Sequence, residues 1–256
     1  MRLHGRWKIF SPVFIFVYKI NDNLEQQLRT IYDYWFTQFD FPDENGNPYR
    51  SSGGKMVWNN ELKREIPEGW SVVPILDYVT WESNSQPPKS EFSYVPKEGY
   101  IRFIQNRDYD SDGYMTYIPY KRSLSIADRF DILMDKYGDA GATRYGIAGA
   151  FNVALGKIAV HNPIMQEYIR SWLSSTPIYS YLHNACMAST RASLSESNLA
   201  LLKMLLPAKP VLVKYQEIAH KIRSLILKNA DESRQCIALR DWLLPMLMNG
   251  QATVAN

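Results

Sequence analysis

The chain has 256 residues and carries 29 Lys and Arg against 26 Asp and Glu, a formal net charge of +3. That balance is too small to hold a polyanion by bulk charge, so any contact with nucleic acid has to be focused on one face. A hydrophobic fraction of 46% with 13% aromatics excludes a disordered chain. The two cysteines, Cys186 and Cys236, imply no disulfide framework and make a reducing cytoplasm the default.

Residues 1–8 are basic, and residues 9–18 are apolar apart from Ser11 and Pro12, which looks like a short secretory signal. The run is too short to span a bilayer, contains a proline and lacks a small-residue cleavage site, so it reads as a lead-in packed against a neighbour. From residue 17 to 39 a helical seam appears at Val17, Leu24, Leu28, Ile31 and Trp35, a spacing of about 3.5 residues. Asn21 and Asp22 cap this helix or lie just inside it, and Pro42 ends it. Residues 40–69 are dense in Pro, Gly, Asn and Ser, and predict an ordered surface connector tacked down by Tyr49, Trp58 and Trp70.

Residues 70–208 form the globular part. Strand character falls at 70–73, 100–103, 114–118, 131–134 and 151–158, between turn-rich loops. Residues 163–173 and 194–205 read as helices, the second capped by Ser193 or Ser195. Without a regular βαβ alternation this is an α+β domain. Residues 209–256 then carry a long helix with a seam at Tyr215, Ile218, Ile222, Leu225, Leu239, Leu243 and Met246, closed by Gly250 as a C-cap. At about 1.5 Å per residue it would be roughly 55 Å long, too long to be buried in a small domain. Asn229 and Glu232 interrupt the seam, where a polar residue fixes register. Such a helix needs a partner, and the helix over 17–39 supplies one, packed antiparallel.

Motifs that would carry chemistry fail on their details. Residues 108–113, DYDSDG, open like a calcium loop, but the twelfth position, which must supply a bidentate glutamate, is Pro119. Asp43, Glu61 and Lys63 satisfy the loose pattern of a restriction-type nuclease holding Mg²⁺. That chemistry wants its acids on adjacent strands, and these lie in a glycine- and proline-rich connector. Asn47-Pro48-Tyr49 has part of the adenine-methyltransferase motif without its second proline. Gly138, Gly141, Gly146 and Gly149 have neither dinucleotide nor P-loop spacing, and serve positive φ or close approach. His183 and Cys186 are two ligands at most, so no zinc site is supported.

What is left is a set of polar loops in a domain without a reaction centre: Gln105, Asn106 and Arg107; Lys121 and Arg122; Lys136 and Tyr137; Arg144 and Tyr145; Thr190 and Arg191. Arg and Lys read guanine edges and bind phosphate, whereas Asn and Gln read adenine. Any one of them is ordinarily a solvated surface group, and the signal lies in the set. The helix-pairing set is Leu24, Leu28, Ile31 and Trp35 with Ile218, Ile222, Leu225, Leu239 and Leu243.

Three stretches resemble the specificity subunit of type I restriction-modification systems. Residues 32–70, YDYWFTQFDFPDENGNPYRSSGGKMVWNNELKREIPEGW, look like the central conserved region and its exit into a target recognition domain. Residues 101–110, IRFIQNRDYD, and 131–158, DILMDKYGDAGATRYGIAGAFNVALGKI, are similar to the recognition-domain body. Residues 239–251, LRDWLLPMLMNGQ, resemble the end of the distal helix. The resemblance implies two recognition domains held apart by two long antiparallel helices, each reading one half of a split double-stranded DNA site. It implies a subunit without catalytic activity that recruits methyltransferase and restriction subunits. The cofactors, S-adenosylmethionine, ATP and Mg²⁺, then sit on those partners and none on this chain.

A complete member carries two recognition domains, and this chain has room for one. Either it is a half-size subunit that pairs with a second copy, or it is a gene fragment such as a recombination cassette, an origin that the truncated upstream helix favours. The family has no universal base-reading motif, so the DNA-contact residues above rest on loop chemistry. A metal-dependent nuclease using Asp43, Glu61 and Lys63, and a silent fragment binding neither DNA nor methyltransferase, are the rival readings.

Overall fold

The computed structural model describes residues 12–110, 114–188 and 193–249. The chain divides into two compact units, residues 1–38 with 217–256, and residues 39–216. Helices and sheets are segregated rather than alternating, an α+β fold.

The first unit is a pair of helices. Helix α1, Pro12–Tyr32, has 21 residues. Its first residue is a proline, whose fixed φ suits the start of a helix, so part of the expected lead-in is helical. Residues 1–11 lie outside the described residues. The helix closes in a π turn, Asp33–Thr37, with the Gln38 amide donating to the Asp33 carbonyl at 2.9 Å. It ends before Pro42 can act, because Phe39 takes the left-handed conformation at φ 68°. Helix α5, Lys209–Met248, has 40 residues, about 60 Å of helix. Gly250, the expected C-cap, lies outside the described residues.

The two helices run antiparallel: Glu25 meets Arg223, and Asn21, one turn earlier, meets Ile226 and Asn229. Asn21 and Asp22 lie inside α1. Asn229, the polar interruption, donates from Nδ2 to Asn21 Oδ1 at 2.8 Å, and Asn21 Nδ2 donates to the Ile226 carbonyl at 3.3 Å. Glu232 instead faces Lys228 at 3.8 Å on an exposed surface. In α1 and its π turn Leu28, Tyr32, Trp35 and Phe36 are buried, and Leu24 and Ile31 half-buried. On α5 the buried positions of this unit are Ala219, Arg223, Ile226 and Leu227. Ile222 and Leu243 are half-buried, and Ile218, Leu225 and Leu239 are exposed. The buried stripe is thus rotated from the apolar seam. A heptad pattern drifts by about 20° per repeat on a straight helix. A small Ala219 and the stem of Arg223 also fill positions that an apolar count overlooks.

The second unit holds two four-stranded sheets. Strands β4 (Val79–Glu82), β11 (Leu155–Val160), β8 (Ile132–Asp135) and β9 (Thr143–Arg144) pair antiparallel in that order. Strands β6 (Tyr117–Pro119), β5 (Tyr100–Ile104), β10 (Gly149–Phe151) and β7 (Ile126–Ala127) form the other, with β5 and β10 parallel. Between them lies a core of Ile104, Ala127, Leu133, Ile147, Phe151 and Leu155. Gly149 is required where it stands: at φ 149° an added Cβ would overlap the Arg102 carbonyl oxygen.

The structure departs from several sequence expectations. The single strand over 151–158 is two strands in different sheets, because Asn152 Oδ1 accepts from the Ala154 amide and turns the chain between them. Residues 194–205 hold just one helical turn, α4 (Glu196–Leu199), with Ser195 in a capping box with Asn198. After a short turn the chain enters strand β12 (Lys203–Leu206), which pairs antiparallel with β3 (Ser71–Pro74), so ladder bonds outweigh helical periodicity. Residues 166–173 form α2, Gln166–Leu173, after a 3₁₀ turn at Pro163–Met165. Helix α3, Thr176–Met187, follows with Pro177 in its first turn and has no counterpart in the apolar periodicity.

The connector over 40–69 is folded into the same compact unit. It contains the antiparallel hairpin of β1 (Met56–Asn59) and β2 (Arg64–Pro67). Phe41 stacks on Tyr49 at 4.6 Å and on Trp70 at 5.2 Å, and Phe39 meets Trp70 edge-on. Trp58 is no anchor: it is exposed, with its indole N–H on Asn60.

Candidate nucleic-acid interface

Strand β8 is buried along its whole length, and it ends on a carboxylate rather than another apolar residue. Asp135 Oδ1 accepts from Asn106 Nδ2 at 2.9 Å, and Oδ2 accepts from Arg144 Nε at 3.1 Å and Nη2 at 2.8 Å. Its backbone amide donates to the Ala142 carbonyl and its carbonyl accepts from Gly141, closing the turn between β8 and β9. Burial pushes the Asp135 carboxyl up, against the pull of the Arg144 hydrogen bonds and charge. Burial also works against the Arg144 charge, but the hydrogen bonds to Asp135 and the charges of Asp135 and Asp139 carry its pKa upward overall.

Around this carboxylate the structure gathers three of the five loops that the sequence singled out. Gln105 caps the 3₁₀ turn Asn106–Tyr109 and donates from Nε2 to Thr116 Oγ1 at 3.0 Å. Asn106 leans inward to Asp135, while Arg107 keeps 54% of its side chain exposed, with its Nη2 3.4 Å from Thr116 Oγ1. Lys136 is half-buried, its backbone amide on the Ala154 carbonyl, and Tyr137 beside it is exposed. Tyr145 is half-buried with the Arg170 guanidinium 4.9 Å from its ring. Arg170 is itself buried, bonded to Glu167 and to the carbonyls of Phe130 and Asp131.

The loop at 121–122 shows no bond to this cluster among the described residues. Lys121 pairs with Glu91 at 2.9 Å, and Arg122 is exposed beside it. Thr190 and Arg191 lie outside the described residues. Missing from the sequence reading are Asp135, Asp139, Tyr109 and Tyr179. Asp139 accepts from the Tyr179 hydroxyl at 2.6 Å and from Arg144 Nη2 at 3.3 Å. Tyr109 buries its hydroxyl in the same cluster without a hydrogen-bond partner among the described residues, and burial pushes that hydroxyl up. An acid closing a strand of buried apolar residues was the signal available for Asp135.

The other motifs resolve into local structure. Asp43 Oδ1 accepts from the amides of Asn45 and Asn47, an Asx turn. Glu61 pairs with Lys203 at 2.7 Å, and Lys63 holds a positive φ of 49° in the hairpin turn. Asp108 is buried and accepts from the Gln105 amide, while residues 111–113 of the calcium-like run lie outside the described residues. Among the described residues no group of three or more His, Cys, Asp or Glu side chains is placed to hold a metal, and no helix is long and apolar enough to cross a membrane.

The chain thus combines an α+β domain that presents amide, guanidinium and phenol groups with an antiparallel helix pair. No family model matches the sequence. Over 245 residues, 92% of the chain, it is 22% identical to the type I restriction enzyme MjaIX specificity subunit of Methanocaldococcus jannaschii. It spans 54% of that relative, about half its length. The solved S subunit of a type I restriction-modification system from M. genitalium superposes with a TM-score of 0.56 at 14% identity, over 91% of this chain and 57% of that one, and so shares its fold. The chain is thus similar to about half the length of a type I specificity subunit and shares the fold of a solved one.

Proposed function

We propose that this chain is a sequence-specific double-stranded DNA recognition subunit of a type I restriction-modification complex, and is itself non-catalytic. The observation that carries the reading is the likeness to the MjaIX specificity subunit along 92% of the chain. The unit over 39–216 reads one half of a split DNA site. The helix pair docks methyltransferase subunits, with S-adenosylmethionine, ATP and Mg²⁺ carried by those and by the restriction subunits. Exposed apolar residues over the last turns of α5, Leu239, Trp242, Leu244, Leu247 and Met248, support a second copy of the chain as their cover, giving a two-fold dimer that reads an inverted repeat.

The test is co-expression with a type I methyltransferase subunit, followed by selection of bound sequences from random duplexes. Co-purification and one enriched sequence are expected. Loss of both would leave the silent-cassette reading, and cleavage of DNA by the pure chain with Mg²⁺ would refute the non-catalytic role. Sedimentation of the chain alone should show a dimer, and a monomer at all concentrations would remove the second copy. Within this reading Arg107→Ala weakens binding to the selected sequence by about 1–3 kcal/mol if its guanidinium meets a base, measured by titration against an unselected duplex.

A further inference from the structure

Two residues with the right chemistry to read bases are already engaged. Arg144 reads guanine through a pair of adjacent N–H groups, yet its Nε and Nη2 edge lies on Asp135 at 3.1 and 2.8 Å. Asn106 would need its amide edge for adenine, and its Nδ2 points to the other oxygen of the same carboxylate at 2.9 Å. The three residues come from different parts of the fold. Asn106 follows β5 in one sheet, Asp135 ends β8 in the other, and Arg144 lies on the edge strand β9. Arg107, next to Asn106, is more than half exposed, and among the described residues it is held only by long contacts, 3.4 Å to Thr116 Oγ1 and 4.0 Å to Asp108 Oδ1. Tyr137, two residues beyond Asp135, is exposed.

We infer that Asp135 is a positioning residue for DNA reading: its buried carboxylate ties the 105–107, 136–137 and 144–145 loops into one fixed arrangement, which assigns Asn106 and Arg144 to the scaffold and leaves Arg107 and Tyr137 to meet the duplex. The inference rests on the DNA-recognition reading above. A two-oxygen acceptor is what the geometry needs, because the donors from Asn106 and Arg144 each take a different oxygen. The side chain of Asp135 is 3% exposed, so water cannot replace a lost acceptor. Base-edge readout demands that several side chains hold register together, whereas phosphate contact tolerates loops that shift. Loosening this carboxylate therefore costs specificity before it costs binding.

The experiment compares Asp135→Ala and Asp135→Asn with the unchanged full chain, co-purified with its methyltransferase subunit. Each is titrated against the duplex selected by the wild type and against an unselected duplex from the same random pool, over a range of salt. Asp135→Ala is expected to lower the ratio of the two affinities by roughly tenfold or more, the scale of one lost base contact. Its affinity for the unselected duplex and its salt dependence should stay within about twofold of the wild type. Asp135→Asn, which keeps the shape and a bond to Asn106 but removes the charge facing Arg144, should fall between them. It also covers the case in which the alanine variant fails to fold. A domain that is merely destabilised loses both affinities together. An unchanged ratio in a folded Asp135→Asn protein, or equal loss on both duplexes, overturns the positioning role. If the wild type itself enriches no sequence, the DNA-recognition reading fails and takes this inference with it.

Discussion

The two units bury polar groups for different ends. In the helix pair, Arg223 and the amides of Asn21 and Asn229 sit in a seam whose apolar residues repeat, where many registers of two helices would bury similar area. Polar pairs there choose one register. In the unit over 39–216 the register is already fixed by two sheets and their turns. Among its buried polar groups, Asp135 and the Glu167–Arg170 pair tie neighbouring segments to the ends of the strands, the 3₁₀ turn at Asn106 and the turn at Phe130–Asp131 among them. The same chemistry selects an alignment in one unit and a loop shape in the other.

If that contrast is right, the largest losses come from packing in the sheet core. Phe151 is fully buried between the two sheets, and Phe151→Ala should cost about 3–5 kcal/mol. Chemical denaturation followed by the fluorescence of the chain's tryptophans should show it, and a cost under about 1 kcal/mol would mean the core can collapse around the gap. In the helix pair the counterpart is Arg223→Ala, which removes contacts of 3.1 and 3.3 Å to Glu25. Glu25 is partly solvated, so the expected loss is smaller, about 1–3 kcal/mol. An Arg223→Ala, Glu25→Ala double-mutant cycle isolates the pair, and a coupling near zero would reduce it to a surface contact.

What the sequence made legible follows the same division. Both long helices and their pairing are visible from apolar periodicity, because a stripe repeated over several turns seldom arises except where one helix packs on another. Which face is buried was not visible. Arg223 counts as polar and Ala219 as neutral, although both lie in the buried stripe, while Ile218, Leu225 and Leu239 point outward. In the sheets, β8 is legible as a run of buried residues and β5 as a largely apolar one, but Lys203–Leu206 looks helical until β3 is there to pair with it. The site suffers most from this limit. Asn106, Asp135 and Arg144 are separated by 29 and 9 residues in the chain and meet only through tertiary structure.

A weaker perturbation tests the register claim. Asn229→Leu replaces the amide facing Asn21 with a good apolar seam residue. Stability should change by about 1 kcal/mol or less in either direction. Alignment is what should suffer: cysteine pairs placed at positions 25 and 223 in a cysteine-free background should cross-link readily in the parent. With Asn229→Leu added they should cross-link less cleanly, with new off-register products. Equal cross-linking would mean that the Asn21–Asn229 amide pair has no part in setting the register.

The smallest expected effect separates two acids of one unit by the sign of their pH dependence. Ser51 donates from Oγ and from its amide to Asp40, and this holds the carboxyl below its usual range in spite of burial. Its folded pKa is lower than its unfolded one, so it contributes stability above the unfolded value that is lost as pH falls through the folded value. Asp135 is raised in the folded protein, first by burial. The folded state then binds the proton more tightly, and the contribution of this group to stability falls as pH rises from the unfolded value through the folded one. Thermal melts across the acid range should therefore show a shallower loss of stability toward low pH in Asp40→Asn and a steeper one in Asp135→Asn. Two variants moving the slope the same way would mean that Asp135, for all its burial, is held charged by Asn106 and Arg144 as firmly as Asp40 is by Ser51.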